Sequence, residues 1–230
     1  MCPVMQLESV EKVYRMGEVF LAALRGISIS FQEGEMTAII GPSGSGKSTA
    51  MHILGCLDRP TSGQYLLEGK NVAKLGDDEL SDIRNRKIGF IFQAFNLIPH
   101  LTVVENTELP LFYMGVRRKD RHRMSMEAIE MVGLKERWHH SPAELSGGER
   151  QRCAIARAIV HEPRVILADE PTGNLDTKTG KDILAILNRL HDQGRTLLVV
   201  THDNDLANQL DRRVTLRDGQ IEDDSRKVPV

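Results

Sequence analysis

Gly41-Pro42-Ser43-Gly44-Ser45-Gly46-Lys47-Ser48-Thr49 is the stretch whose residue types and spacing most directly imply chemistry. It fits the pattern G-x-x-x-x-G-K-[ST], with Gly41, Gly46, Lys47 and Ser48 at the fixed places. Glycine has no Cβ, so such a loop can curl around a phosphate and turn its N–H groups inward. A helix beginning where the loop ends adds a partial positive charge. Lys47 supplies a full charge for the terminal phosphates of a nucleotide, and the Ser48 hydroxyl is suited to Mg²⁺. The bland alternative is a glycine-rich turn. The flanks argue against it: Met36–Ile40 is short, apolar and β-branched, and the nine residues from Thr49 to Leu57 read as a helix.

Further polar residues fall where strands end. Ile88 to Phe92 reads as a buried strand, and Gln93 follows it. Arg164 to Ala168 is another, followed at once by Asp169-Glu170, and Thr196 to Val200 leads into Thr201-His202. In open parallel sheets, ligands bind beyond the carboxyl ends of strands. There Asp169 suits the Mg²⁺ shell, Glu170 can polarise an attacking water, and His202 can reach a γ-phosphate. Leu145-Ser146-Gly147-Gly148-Glu149 opens a helix running to Val160. Ser146 can cap that helix or bind an anion, and the two glycines allow close approach. This is a second phosphate-suited helix start in one chain, which points to two chains sharing nucleotides across an interface. Gly173-Asn174-Leu175-Asp176 forms a turn ahead of a helix over 177–192.

The elements that position these residues alternate. Met5 to Tyr14 and Ile27 to Phe31 read as half-buried strands, and Gln64 to Leu67 as another. Helices are expected from Asp77 to Asn85, Thr102 to Met114 and Lys119 to Val132. The fold class is α/β: a nucleotide-binding core with a mainly parallel sheet, an N-terminal antiparallel β lobe and an inserted α-helical subdomain. One domain over 1–222 is expected, its helical insert at about 94–146, with a polar tail at 223–230 lacking predicted structure.

The chain has 230 residues and a net charge of −2, which gives no argument for a nucleic-acid partner. Cys2, Cys56 and Cys153 lack metal-ligand spacing; the last two read as small core residues on helical faces, suiting a reducing compartment. Trp138 reads as a packing residue. No apolar run approaches the ~20 residues of a membrane span, and the N-terminus lacks a secretory signal. A cytosolic protein is expected, meeting a membrane only through a partner.

In kind and order these motifs resemble the ATP-binding subunit of ABC transporters, from about Met5 to Glu222. Leu145-Ser-Gly-Gly-Glu149 is similar to that family's signature. The resemblance implies ATP hydrolysis with Mg²⁺ in a head-to-tail pair of identical chains, bound to integral membrane permease subunits at the cytoplasmic face of the membrane. It implies that Tyr14 stacks on adenine and that residues 41–49 hold the phosphates, with Ser48 on Mg²⁺. Gln93 joins Mg²⁺ and water to the membrane-facing loop. Ser146, Gly147 and Gly148 contact the γ-phosphate held by the opposite chain. Asp169 attends the metal, Glu170 is the base, Asp176 lies at the interface and His202 is the switch. The stretches Phe92–Asn106 and Asp169–Asp176 are similar to the lipoprotein-release and macrolide-export branch. Other readings are an importer ATPase, a soluble ABC ATPase acting on ribosomes or DNA, and a nucleotide-binding scaffold.

Overall fold

Alternating apolar and polar side chains build the first two strands, β1 (Met5–Met16) and β2 (Val19–Phe31), of the computed structural model, which describes residues 3–226. They pair antiparallel from Met5↔Phe31 to Met16↔Val19. This hairpin is longer than the sequence suggests. Val19, Phe20 and Leu21 at its tip are all exposed, so no burial alternation marks them as strand.

The described residues form two compact units, one from the chain up to Arg84 and from Gly194 onward, the other from Asn85–Gln193. In the first unit follow β3 (Met36–Ile40), α1 (Lys47–Leu54), β4 (Ser62–Leu67) and β5 (Lys70–Asn71). Helix α2 (Asp77–Lys87) spans the boundary and leads to β6 (Ile88–Ile91) of the second unit. That unit continues with α3 (Val103–Tyr113), α4 (Arg118–Met131), α5 (Gly147–Ile159), β7 (Val165–Asp169) and α6 (Thr177–Asp192). The chain returns to the first unit with β8 (Thr196–Val200), α7 (Asn204–Ala207), β9 (Arg212–Arg217) and β10 (Gln220–Arg226).

The first unit holds the antiparallel lobe in the order β2-β1-β4-β5, and a layer in the order β10-β9-β3-β8. β3 pairs parallel with both β8 and β9, and every residue of β3 and β8 is buried. Strands covered on both faces read as largely apolar runs, and each buried Val, Leu, Ile or Met contributes about 1.5–3 kcal/mol by leaving water. α1 starts inside the glycine loop and stops before Leu57, because Cys56 sits at φ 54, in the left-handed region. The buried Tyr65 hydroxyl donates to Leu54 O at 2.6 Å, satisfying a carbonyl at that helix end. Cys56 is therefore buried beyond the helix rather than on it.

In the second unit β6 and β7 run parallel. α6 buries Ile183, Ile186, Leu187 and Leu190 at helical spacing. α5 is buried along most of its length, including Cys153, Ala154, Ile155, Ala156 and Ala158. Burial pushes the Cys153 thiol up to about 12 and the Cys56 thiol to about 11, so both stay unreactive near neutral pH. Trp138 is 40% exposed and meets His122 and His139 edge-on. Cys2 lies outside the described residues.

The expected structureless tail fails for residues 223–226, which complete β10; residues 227–230 lie outside the described range. The reason is Arg212 on β9, only 4% exposed at its side chain. Its guanidinium donates to both oxygens of Asp224 at 2.6 Å, to Ser30 O at 2.7 Å and to Glu35 Oε2 at 3.2 Å. This holds a polar strand that hydropathy alone would leave loose. Arg212→Ala is expected to cost about 3 kcal/mol of stability, because it strands partly buried carboxylates. The guanidinium holds the Asp224 carboxyl below its ordinary value of 3.8. A lowered carboxylate stabilises fully above its ordinary range and stops doing so as pH falls through the lowered value. The gap between wild type and variant in urea denaturation should therefore narrow from pH 7 to pH 3.

Candidate nucleotide site

In the first unit β3 delivers the chain into the glycine loop. A Cβ on Gly41, at φ 149, would lie 2.1 Å from Leu216 O; one on Gly46, at φ 100, would lie 2.6 Å from Ala23 O. Both positions thus require glycine for space as well as conformation. No side chain caps α1, so its first-turn N–H groups are left facing the loop. Lys47 Nζ folds back onto Gly41 O and Pro42 O, each at 2.8 Å. Ser45 is 2% exposed and its Oγ has no hydrogen-bond partner, while Ser48 on the first turn of α1 is exposed. Uncapped amides, a cationic amine resting on carbonyls and an orphaned hydroxyl fit an incoming polyphosphate.

Two other expected residues lie in this unit. Thr201 N donates to Ile39 O at 3.1 Å, so the end of β8, with the exposed His202, adjoins the end of β3 where the loop begins. Asp203 caps α7, a short helix the sequence did not reveal. Tyr14 on β1 donates its hydroxyl to Asp58 Oδ2 at 2.8 Å. Burial and the Asp58 carboxylate raise the phenol above its ordinary value, and the Thr49 side chain opposes them.

The second unit holds the other expected residues. Ile91 and Ala168 are register partners, so Gln93 and the Asp169-Glu170 pair leave neighbouring strand ends. Gln93 Nε2 donates to Asn174 Oδ1 at 3.3 Å, and Asn174 Nδ2 donates to Gln93 O at 2.9 Å. Both acids are half-buried, and Glu170 sits at φ 45, a left-handed conformation that costs a non-glycine residue about 1–3 kcal/mol. The turn is held from below by Gln151 on α5, fully buried, whose Nε2 donates to Pro171 O at 2.7 Å. Sequence reading missed Asn174 and Gln151. A glutamine three and four positions before the buried Ala154 and Ile155 was a legible signal; a turn asparagine was not.

The segment after Gln93 is also fixed from within this unit. Phe95 and Asn96 take left-handed conformations, and the Arg157 guanidinium donates to Phe95 O at 2.8 Å and Asn96 O at 2.5 Å. Buried Asn106 accepts from Ile98 N at 2.8 Å and donates to Ile98 O, Leu101 O and Thr102 O.

Ser146 caps α5 in a reciprocal box, accepting from Glu149 N at 3.3 Å while Glu149 Oε2 accepts from Ser146 N at 2.8 Å. These contacts hold the Glu149 carboxyl below its ordinary range. Asp176 caps α6, accepting from Lys178 N and Thr179 N; the Thr179 hydroxyl is the largest influence lowering its pKa. The two helix starts come close: a Cβ on Gly148 would lie 2.4 Å from Thr179 Cγ2. Beside them opens a cavity of about 610 Å³ lined by Ser146, Gly148, Glu149, Arg137, Arg152 and Thr179, among others.

Parallel strands, a glycine loop running into an uncapped helix and acids at strand ends define a P-loop nucleotide-binding α/β protein. The sequence profile described as "ABC transporter" matches residues 24–173, and the chain belongs to that family. It is 56% identical over 97% of its length to an uncharacterized ABC transporter ATP-binding protein of Thermotoga maritima, covering 96% of that protein. It is 50% identical over 96% of its length to the macrolide export ATP-binding/permease protein MacB of Chlorobaculum tepidum, but spans only 34% of that protein. The dimeric ABC transporter cassette MJ0796 superposes with a TM-score of 0.90 at 44% identity, over 98% of this chain and 100% of that one. A post-hydrolysis dimer of the same cassette, bound to ADP and Pi, matches equally well. The chain is thus an ABC ATPase cassette with the expected fold class. Among the described residues no helix is long and apolar enough to cross a membrane.

The approach of α5 to α6 gives a test. Gly148→Ala is expected to abolish ATP turnover while leaving nucleotide binding within about threefold of wild type. Thr179→Ser, which removes the clashing Cγ2, should restore much of the rate, measured as phosphate release. Full activity in Gly148→Ala alone would show that the close approach is dispensable.

Proposed function

We propose that this chain powers a membrane complex of the lipoprotein-release or macrolide-export type by ATP-driven closure of two copies. The observation that carries this reading is the 0.90 TM-score to a cassette known as a dimer and as a post-hydrolysis ADP and Pi complex. Similarity to export ATP-binding/permease proteins adds support, since the chain matches about a third of the length of its MacB relatives.

Within this reading residues 41–49 hold the triphosphate and Lys47 moves from the loop carbonyls to the phosphates. Tyr14 stacks on adenine. Mg²⁺, when bound, neutralises charge on the phosphate oxygens; Ser48, Gln93 and Asp169 would hold it, directly or through water. Glu170 orients the attacking water and takes its proton, and His202 steadies the γ-phosphate. Ser146, Gly147 and Gly148 meet the γ-phosphate held by the second copy, with Asp176 at the interface. ATP favours the closed pair because it bridges both copies, and hydrolysis removes that bridge. The fixed segment from Gln93 to His100 and the helical insert form the groove for a permease at the cytoplasmic face. Phe112 and Tyr113 at the end of α3, 58% and 74% exposed, are available to such a partner.

Glu170→Gln is expected to lose turnover, at least ~100-fold, and to form an ATP-dependent dimer on gel filtration. Wild-type hydrolysis in that variant would remove Glu170 from the mechanism. Lys47→Ala should lose ATP binding in calorimetry; tight binding would contradict the cradle. Pull-down of the tagged chain from solubilised host membranes should recover a permease with few membrane helices and a large outer domain. A many-helix importer permease would overturn the branch, and a ribosomal or DNA-bound partner alone would overturn the transporter reading.

A further inference from the structure

Besides the Thr49 side chain, Tyr14 is held by residues that none of the motifs contains. Its hydroxyl donates to Asp58 Oδ2 at 2.8 Å. The second carboxylate oxygen, Asp58 Oδ1, accepts from Lys12 Nζ at 2.5 Å and from Arg59 N at 2.7 Å. Lys12 Nζ also donates to Arg59 O at 2.8 Å and lies 4.9 Å from the centroid of the Tyr14 ring. Side-chain exposures of 13% for Lys12 and 29% for Asp58 mean that water competes only partly for these charged groups. Charge-assisted hydrogen bonds keep more of their strength in such a setting.

The arrangement does three things to the ring. The hydroxyl contact fixes its swing on the stretch of the hairpin that leads to its exposed tip. The ammonium occupies one face, so a flat ligand would stack on the other. Asp58 lies in the loop just after α1, so the contact ties the ring to the segment following the helix that carries Lys47 and Ser48. A ring ordered before binding costs its ligand less to engage.

We infer that Asp58, anchored by Lys12, is a positioning residue for nucleobase recognition: it presets Tyr14 as a one-faced stacking platform at a fixed place relative to the phosphate loop. This rests on the reading that Tyr14 stacks on the base. Burial pushes the Asp58 carboxyl up, but Lys12, Tyr14 and the Arg59 amide outweigh it and hold the group below its ordinary value, so it is ionised and accepting at neutral pH.

The test compares ADP with inorganic pyrophosphate, which shares the phosphates and lacks the base, by titration calorimetry on the full chain. Tyr14→Phe and Asp58→Ala are each expected to weaken ADP about threefold to tenfold, the size of one hydrogen bond, with pyrophosphate unchanged. The double variant should bind ADP about as the Tyr14→Phe single variant does, since Asp58 acts on the ring through that hydroxyl. If Tyr14→Ala weakens ADP while Tyr14→Phe and Asp58→Ala bind as wild type does, the positioning role is overturned and stacking stands. If Tyr14→Ala itself leaves ADP affinity unchanged, stacking falls and this role with it. Equal loss of ADP and pyrophosphate would mark a general disruption and also overturn it. Tyr14→Phe also removes the Thr49 contact, so Asp58→Asn, which keeps the size of the side chain, decides the matter if Asp58→Ala does not fold.

Discussion

The amides that open α1 have no side chain to receive them. Thr102, Ser146 and Asp176 each accept from the helix they begin, whereas α4, like α1, starts without a side-chain cap. A helix start left open is stable only because its donors face solvent or an anion. Much else in the first unit follows from keeping it so. β3 must be rigid to aim the loop, and it is buried on both faces between β8 and β9. Gly41 and Gly46 must lack side chains, because carbonyls of Leu216 and Ala23 occupy that space. Lys47 keeps its charge near the loop by resting on two carbonyls.

The second unit solves a different problem. Its candidate chemistry sits on turns, which are mobile unless held. Here they are held by side chains reaching from helices. Gln151 grips the turn after β7 through Pro171 O, and Arg157 and Asn106 grip the segment after Gln93 through four carbonyls in addition to Thr102 O. That α5 supplies both Gln151 and Arg157 explains why this helix carries a polar side chain at a buried and another at a half-buried position. Their N–H groups find carbonyls, although Gln151 Oε1 accepts no hydrogen bond.

Sequence reading found the parts whose physics is local. The glycine loop, the acids at the end of β7 and the Ser146 cap each announce themselves within a few neighbouring residues. β8 and α6 fall on the expected residues, because continuous burial and helical spacing leave little choice. What escaped depends on distant pairing. The tip of the β1–β2 hairpin shows no alternation because it is exposed, and only its register with the opposite strand defines it. β10 is polar and exists because Arg212 holds Asp224. Asp58 meets Lys12 and Tyr14 across more than forty intervening residues, a contact no local pattern records.

The left-handed backbone at Glu170 sets stability against chemistry at one residue. Glycine there would relax the turn, and asparagine would tolerate it better than glutamate does. Neither carries the carboxylate on which the proposed water activation rests. Directed evolution for heat resistance, scored on folding alone, would therefore drift toward those residues and return sturdier proteins that turn over less. A selection that keeps ATP consumption in its score would hold glutamate in place and accept the strain.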